Sequence, residues 1–275
     1  MIAELAQALA RLMQFSPNKK QNIERPVSSQ AFLLSSEVVM VPDQLGINGF
    51  VLLQDEEHLK LGTDAMLLSD FARIPKGARV ADLGCGNGAI FILLAARHPS
   101  CTLHGVEIQE KSYHLAAENI RLNHIEDRAY AHCADLRDLS FLPSDSFDVV
   151  VSNPPYMKSG SGLKAENPAL LAARMEIDCT IEDVCRSASR LLKFGGSFSL
   201  VYRPDRLEDL FSALKAANLA PKRMRLVQNK VDAAPSLVLL EARKGGKPGM
   251  VHLPVLCIRE ASGEETAEIK EIYQR

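Results

Sequence analysis

The sequence has no C-x-x-C pair, no apolar run of membrane-spanning length, no excess of either charge sign, no internal repeat and no low-complexity tract. Its six cysteines, Cys85, Cys101, Cys133, Cys179, Cys185 and Cys257, are dispersed. That argues against a zinc site or a disulfide scaffold and fits a reducing cytoplasm. The longest apolar runs, such as Ala65 to Leu68 and Ala89 to Ala96, fall far short of the roughly 18–20 residues a bilayer span needs, so a soluble protein without a membrane partner is expected. The start of the chain carries Glu4 and no basic residue before Arg11, with neither the charged start nor the long apolar middle of a signal peptide, so none is expected. Lys plus Arg number 32 against 34 Asp plus Glu, a net charge of −2. No global positive field therefore advertises a polyanionic partner, and any nucleic-acid surface must be local. The histidines show no spacing that suggests a metal pair, and no metal is expected.

What is present is an ordinary globular composition, 275 residues with 47% hydrophobic and 24% charged, enough for one large α/β domain. Ile2, Leu5, Leu9 and Leu12 share one helix face, and Phe15 to Ser36 is polar and rich in breakers. Residues 1–45 thus read as a helix and polar arm, and 46–275 as the main domain. Val38 to Val41 and Gly49 to Gln54 are short apolar stretches expected to pair as a hairpin. Thr63 or Asp64 is placed to cap a helix through Phe71.

From Arg79 the pattern repeats strand, turn and helix. Strands are expected at 79–83, 102–106, 130–134, 148–152 and, after Gly195-Gly196, 197–202; helices are expected at 89–97, 111–122 and 205–217. Such alternation specifies a Rossmann-like, doubly wound α/β fold with a mostly parallel sheet. Two late strand-like runs, 224–228 and 236–241, have no helix between them and must form an antiparallel pair at the C-terminal end.

Asp82-Leu83-Gly84-Cys85-Gly86-Asn87-Gly88 joins a strand to a helix, where open α/β sheets bind nucleotides and cofactors. Gly84, Gly86 and Ala89 also satisfy the relaxed dinucleotide pattern, so the turn alone leaves NAD open. Glu107, about twenty residues on at the next strand end, can accept both ribose hydroxyls in either case. Charge separates the readings. A pyrophosphate wants amides without a nearby carboxylate, whereas the sulfonium and ammonium of S-adenosylmethionine want acids. Asp82 favours the cation, although it could instead cap the following helix. Asp135, at a third strand end, could likewise be a helix cap. Cys85 reads as a small residue tolerated by close packing.

After Val149-Val150-Val151 comes Ser152-Asn153-Pro154-Pro155-Tyr156. The prolines fix φ and remove donors, leaving a stiff acceptor platform. The Asn153 side-chain carbonyl and the Pro154 backbone carbonyl can hold the two hydrogens of a planar amine, and Tyr156 offers a face for stacking.

Together, Asp-Leu-Gly-Cys-Gly-Asn-Gly, Val106-Glu107, Ala134-Asp135 and Asn-Pro-Pro-Tyr at 153–156 resemble the motif series of class I S-adenosylmethionine-dependent amino-methyltransferases. The segment Leu61-Gly62-Thr63-Asp64-Ala65-Met66 resembles more narrowly the bacterial valine-tRNA adenine-N6 methyltransferases, as do Leu253-Pro254-Val255-Leu256 and Glu271-Ile272-Tyr273. The resemblance runs from about Gly49 to the C-terminus. It implies that Asp82, Gly84, Gly86 and Glu107 bind the cofactor, with Asp135 near its adenine amine and Thr63 and Asp64 closing over its methionine end. Asn153, Pro154 and Tyr156 would hold the target base while Asn153 also borders the cofactor. It implies methyl transfer to adenine N6 in RNA, above all tRNA; glutamine N5 of a protein and adenine N6 of DNA are the alternatives. The RNA contact is expected at a local basic surface including Lys158, Lys222, Arg223 and Arg225, extended by Lys230, Arg243, Lys244 and Lys247.

Overall fold

The computed structural model describes residues 32–34, 38–40, 42–54, 61–154 and 179–274. The helix expected at the N-terminus, Tyr156 and Lys158 lie outside these residues. Two short antiparallel ribbons come first. β1 (Phe32–Leu34) pairs with β2 (Val38–Met40), and β3 (Asp43–Gln44) pairs with β4 (Val51–Leu52). The expected hairpin between 38–41 and 49–54 is therefore corrected: each run pairs with a nearer partner, and β1 lies inside the stretch read as a polar arm. Nearer partners close shorter loops, at lower entropic cost.

Helix α1 (Thr63–Phe71) is capped by Gly62, without a side-chain cap bond. This corrects the expected Thr63 or Asp64 cap, since both are already helical. The alternating units follow: β5 (Arg79–Leu83), α2 (Ala89–Arg97), β6 (Thr102–Glu107), α3 (Glu110–Leu122), β7 (Ala129–Cys133) and β8 (Phe147–Ser152). Then come α4 (Ile181–Leu191), β9 (Leu192–Tyr202), α5 (Leu207–Ala216), β10 (Leu219–Gln228), β11 (Pro235–Lys244), β12 (Val251–His252), β13 (Leu256–Cys257) and α6 (Ala267–Gln274).

The main sheet has the order β12-β10-β11-β9-β8-β5-β6-β7, with β13 also on β10. β5 to β9 run parallel, and β11 is antiparallel to both neighbours. The late strand pair is antiparallel as its short connection demanded. The sheet buries two cores. One face carries α1, α2, α3 and α6 through Leu67, Ile92, Ala116 and Ile272; the other carries α4 and α5 through Val184, Leu191, Leu210 and Leu214. Residues 90–96 of α2 are all buried, so this helix is apolar all round. Gly195-Gly196 does not start β9 but lies within it, beside a register shift against β8. The glycines mark an irregularity rather than a strand end.

α4 was not anticipated. Its start is a capping box in which Thr180 accepts from the Asp183 amide and Asp183 accepts from the Thr180 amide. The Thr-x-x-Asp spacing was the available signal. On β6 and β7, His104 Nδ1 and His132 Nε2 lie 3.1 Å apart. Burial, then Arg79 and His132, push the His104 imidazole down to about 4, so it is neutral near pH 7. No group of three potential metal ligands occurs among the described residues.

Candidate cofactor and methyl-acceptor site

Strand order reverses at β5, whose neighbours are β6 on one side and β8 on the other. Loops leaving the carboxyl ends of these strands diverge, and the crevice between them is where a ligand fits an open α/β sheet. Asp82, Glu107 and Asn153 all stand at this edge, at or just beyond the ends of β5, β6 and β8.

The glycine turn is held down on the sheet. Gly84 N and Cys85 N both donate to Val106 O, at 2.9 and 3.0 Å. Gly84 and Gly86 have φ of +73° and +57°, a region side chains rarely enter. A Cβ at either would meet nothing within 4 Å among the described residues, which leave space above the turn. Below it the packing is tight: a Cβ on Gly105 of β6 would fall 2.8 Å from Cys85 Sγ. Cys85 is buried there, and burial followed by Asp82 and Glu107 pushes its thiol well up. It is a packing residue, as expected.

Asp82 is 1% exposed and neither carboxylate oxygen has a hydrogen-bond partner among the described residues. It does not cap α2, whose N-cap is Gly88. Burial first, and the nearby Glu107 second, raise its pKa to about 8; the Phe91 amide offsets part of this without reaching hydrogen-bond geometry. A buried carboxylate left without a donor is costly, and a cation in the crevice would relieve it.

Glu107, also buried, is oriented by its neighbours. Gly86 N donates to Oε2 at 2.9 Å and Gln109 N to Oε1 at 2.8 Å. Each oxygen keeps a further lone pair, which suits a vicinal diol. Ile108 follows directly and is 55% exposed. An apolar side chain beside a ribose acceptor can cover a planar base, and sequence reading passed it over; its position after the strand-end acid was the signal.

Asp135 is engaged within its own turn. Its carboxylate accepts the Arg137 backbone amide at 2.8 Å and pairs with the Arg137 guanidinium at 2.6 Å. The Arg137 bonds hold it below the usual carboxylate range. No helix follows it, so the capping alternative falls away.

Ser152 Oγ donates to Leu83 O at 2.7 Å and ties the end of β8 to the end of β5. Asn153 follows, and its Oδ1 is buried without a partner among the described residues. Pro154 is buried beside it. An acceptor carbonyl thus borders the same edge as the unpaired Asp82.

Two asparagines hold residues 51–53 in place, and sequence reading missed both. Asn119 and Asn123 lie four apart on α3, on one helix face. Asn119 accepts from Leu53 N at 2.6 Å and donates to Leu53 O and Asn87 O at 3.0 and 2.9 Å. Asn123 accepts from Val51 N and donates to Val51 O, both at 2.8 Å. Side-chain amides here serve the backbone as a neighbouring strand would, and join that segment to the glycine turn.

The expected basic surface is divided by the fold. Arg223 Nη2 pairs with Glu241 at 2.7 Å and with Phe71 O at 2.6 Å, and the guanidinium lies 4.0 Å from the Phe71 ring centre. Arg225 makes two bonds of 2.8 Å to Glu268. Lys222 is held by Lys247 O, and Lys244 by Asp145 and Leu192 O. Placing Arg223 and Arg225 on an open surface is corrected: apolar neighbours and carboxylates draw both guanidiniums into the protein.

The model of the methyltransferase small domain family matches residues 56–218. A Parabacteroides distasonis protein named tRNA1(Val) (adenine(37)-N6)-methyltransferase is 30% identical over 82% of this chain and 94% of its own length. Proteins of the same name from Bacteroides fragilis (strain YCH46) and Tolumonas auensis are 31% and 29% identical, over 70% and 80% of this chain and 80% and 90% of theirs. Among solved structures, a predicted O-methyltransferase from Agrobacterium tumefaciens superposes with a TM-score of 0.64 at 24% identity, over 77% of this chain and 95% of that one. This last likeness concerns the fold.

Proposed function

The chain belongs to the methyltransferase small domain family, and from that premise we propose that it transfers a methyl group from S-adenosylmethionine to the N6 amine of an adenine in tRNA. Residues 46–275 would be the catalytic domain and 1–45 an appended arm. No described helix is long and apolar enough to cross a membrane, and we place the enzyme in the cytoplasm with its tRNA substrate.

The observation that carries this reading is the pair of buried acceptors at one sheet edge, Asp82 and Asn153 Oδ1, that have no partner among the described residues. They answer two different chemistries. Asp82 suits a cation and repels a pyrophosphate, which favours a sulfonium cofactor over NAD. Asn153 suits a neutral N–H donor.

When bound, the cofactor supplies a methyl group already activated by a positive sulfur. Asp82 would release its proton to solvent and face the ammonium. Glu107, fixed by Gly86 and Gln109, would take the ribose hydroxyls, and Ile108 would cover the adenine. Asp135, though paired with Arg137, would offer its remaining lone pairs to the adenine amine. Thr63 and Asp64 would close on the methionine end. Asn153 and the Pro154 carbonyl would hold the two hydrogens of the target amine, and Tyr156, which lies outside the described residues, would stack on its ring, as the motif resemblance implies. These acceptors favour the pyramidal nitrogen and take up charge as the methyl arrives. No strong base is needed, since the carbon–sulfur bond that breaks would leave a neutral thioether and the nitrogen's surplus proton would pass to water; orientation can contribute of order 7–11 kcal/mol. The target base must leave its stack, which is easiest from a loop.

Purified protein incubated with labelled cofactor and, separately, tRNA, DNA and a release-factor protein tests the assignment. Label in tRNA, recovered as N6-methyladenosine after digestion, is expected. Label confined to protein or DNA would replace the assignment with one of the alternatives.

A further inference from the structure

Strand β8 breaks its own pattern at its last residue. Three valines, Val149 to Val151, run through the middle of the sheet, and Ser152 follows them, 0% exposed. A parallel strand covered on both faces is apolar by default, so a hydroxyl there needs a partner and a use. Its partner is Leu83 O on β5, 2.7 Å away and 69 residues distant in sequence. A carbonyl has no hydrogen to give, so the hydroxyl is the donor and the direction of the bond is fixed.

The place of this bond matters more than its strength. The ladder between β5 and β8 runs from Val80–Val149 to Asp82–Val151 and stops there, whereas β8 keeps to β9 one residue longer, through Ser152–Leu200. The two strands thus begin to part at the switch point of the sheet, and the Ser152 bond crosses the gap one step past their last pair. On the β5 side the acceptor, Leu83, stands in the chain between Asp82 and Gly84; on the β8 side the donor directly precedes Asn153. From the other flank, Gly84 N and Cys85 N hold the start of the glycine turn to Val106 O of β6. The turn is therefore clamped to both neighbouring strands, by backbone amides on one side and by a single side chain on the other.

Resting on the cofactor and acceptor reading above, we propose that Ser152 is a positioning residue: its bond to Leu83 O sets the spacing between the glycine turn, which would hold the methyl donor, and Asn153, which would hold the acceptor amine. Fully buried, Ser152 acts through Asn153 rather than on either ligand. In-line transfer is sensitive to that spacing, since a misplacement of about 1 Å can cost on the order of 10²-fold in rate. An apolar residue at this position would keep the strand and lose the measured gap.

The test uses the full chain with Ser152→Ala and with Ser152→Cys, the second filling nearly the same space with a weak donor. In both, the single-turnover rate of methyl transfer to tRNA should fall about 10- to 100-fold, while calorimetric affinities for S-adenosylhomocysteine and for tRNA stay within about twofold. In the protein without ligand, amide hydrogen exchange over residues 83–86 and 152–153 should quicken several-fold, with residues 79–82 still protected. Combining Ser152→Ala with Asn153→Ala should give a rate no lower than Asn153→Ala alone, because the two act as one unit. A full rate in Ser152→Ala beside a slow Asn153→Ala overturns the proposal and leaves the acceptor reading standing. A slow Ser152→Ala beside a fast Ser152→Cys makes the role one of volume, and effects that multiply in the double variant make it independent of Asn153; either result overturns the proposal too. Affinity for S-adenosylhomocysteine lost in step with the rate means a general structural effect, with the same consequence. Full activity in Asn153→Ala would remove the acceptor reading itself, and this proposal with it.

Discussion

Asp82 and Glu241 stand in one cross-strand row, reached by way of Val151 on β8 and Ser199 on β9. Both are buried carboxylates on the same face of one sheet. Glu241 meets the Arg223 guanidinium inside the protein, whereas Asp82 meets nothing among the described residues. The row therefore separates a charge the fold has already answered from one it leaves for a ligand. Burial alone does not mark a site, and neither does charge; the missing partner does.

Breaking the answered pair should have the largest effect. Glu241→Gln leaves Arg223 buried without its counter-charge, and removing one partner of a buried pair costs about 3–5 kcal/mol. Since Arg223 keeps Phe71 O and the Phe71 ring, the low end of that range is expected, seen as a lowered thermal midpoint. Cofactor affinity measured below the transition should be unchanged. A variant as stable as its parent would mean the pair is not what holds the late strands to α1.

At the site edge the opposite pattern is expected. Asn153→Ala should lower turnover by about 10²–10³-fold, the usual cost of removing an aligned group at a developing charge. Stability and cofactor affinity should hardly change, which single-turnover kinetics and calorimetry would establish. Full activity in this variant would remove the acceptor platform from the mechanism.

Asp82 sharpens the contrast through pH. Its folded pKa of about 8 lies above the ordinary 3.8, so between these values the folded state holds a proton that the unfolded state has released. Stability of the free protein therefore falls as pH rises through this window and levels off above about 8. Cofactor affinity runs the other way, rising toward pH 8 as ionisation costs less. In Asp82→Asn both slopes should flatten, and affinity should drop about tenfold or more, as for a lost bond to a charged group. Identical pH profiles in the two proteins would assign the slopes to another group.

Much of this was legible in the sequence because the relevant signals are local. Strand, turn and helix alternate with clear periods, so β5, α2, β6 and α3 came out within a residue or two. The site edge followed, since the fold places strand ends together whatever the loops do. What the sequence hid were pairings between distant residues. Nothing near Val51 or Leu53 announces that Asn123 and Asn119 will stand in for a strand. The partners of β2 and β4 depended on loop closure rather than pattern. The α1 cap slipped by one position because Gly62, Thr63 and Asp64 are each acceptable caps. The run from Lys222 to Lys247 read as one basic patch because adjacency in sequence was taken for adjacency in space.

That run gives the smallest effect and the finest test. β10 spans 10 residues, roughly 30 Å at the usual rise per residue. β10 starts opposite Lys244 at the edge of the sheet away from the site, so Arg243, Lys244 and Lys247 gather there, while Lys230 follows the other end of β10 on the side of Asn153. A tRNA that delivers a base to Asn153 meets Lys230 before it meets the far cluster. Lys230→Glu should weaken tRNA binding several-fold and flatten its salt dependence by about one charge. Arg243→Glu with Lys247→Glu should change affinity less than about twofold at physiological ionic strength, because screening mutes charges separated by more than a Debye length of roughly 8 Å. If the far pair proved the more damaging, the RNA would have to wrap around the sheet to its opposite edge, and the basic run would count as one surface after all.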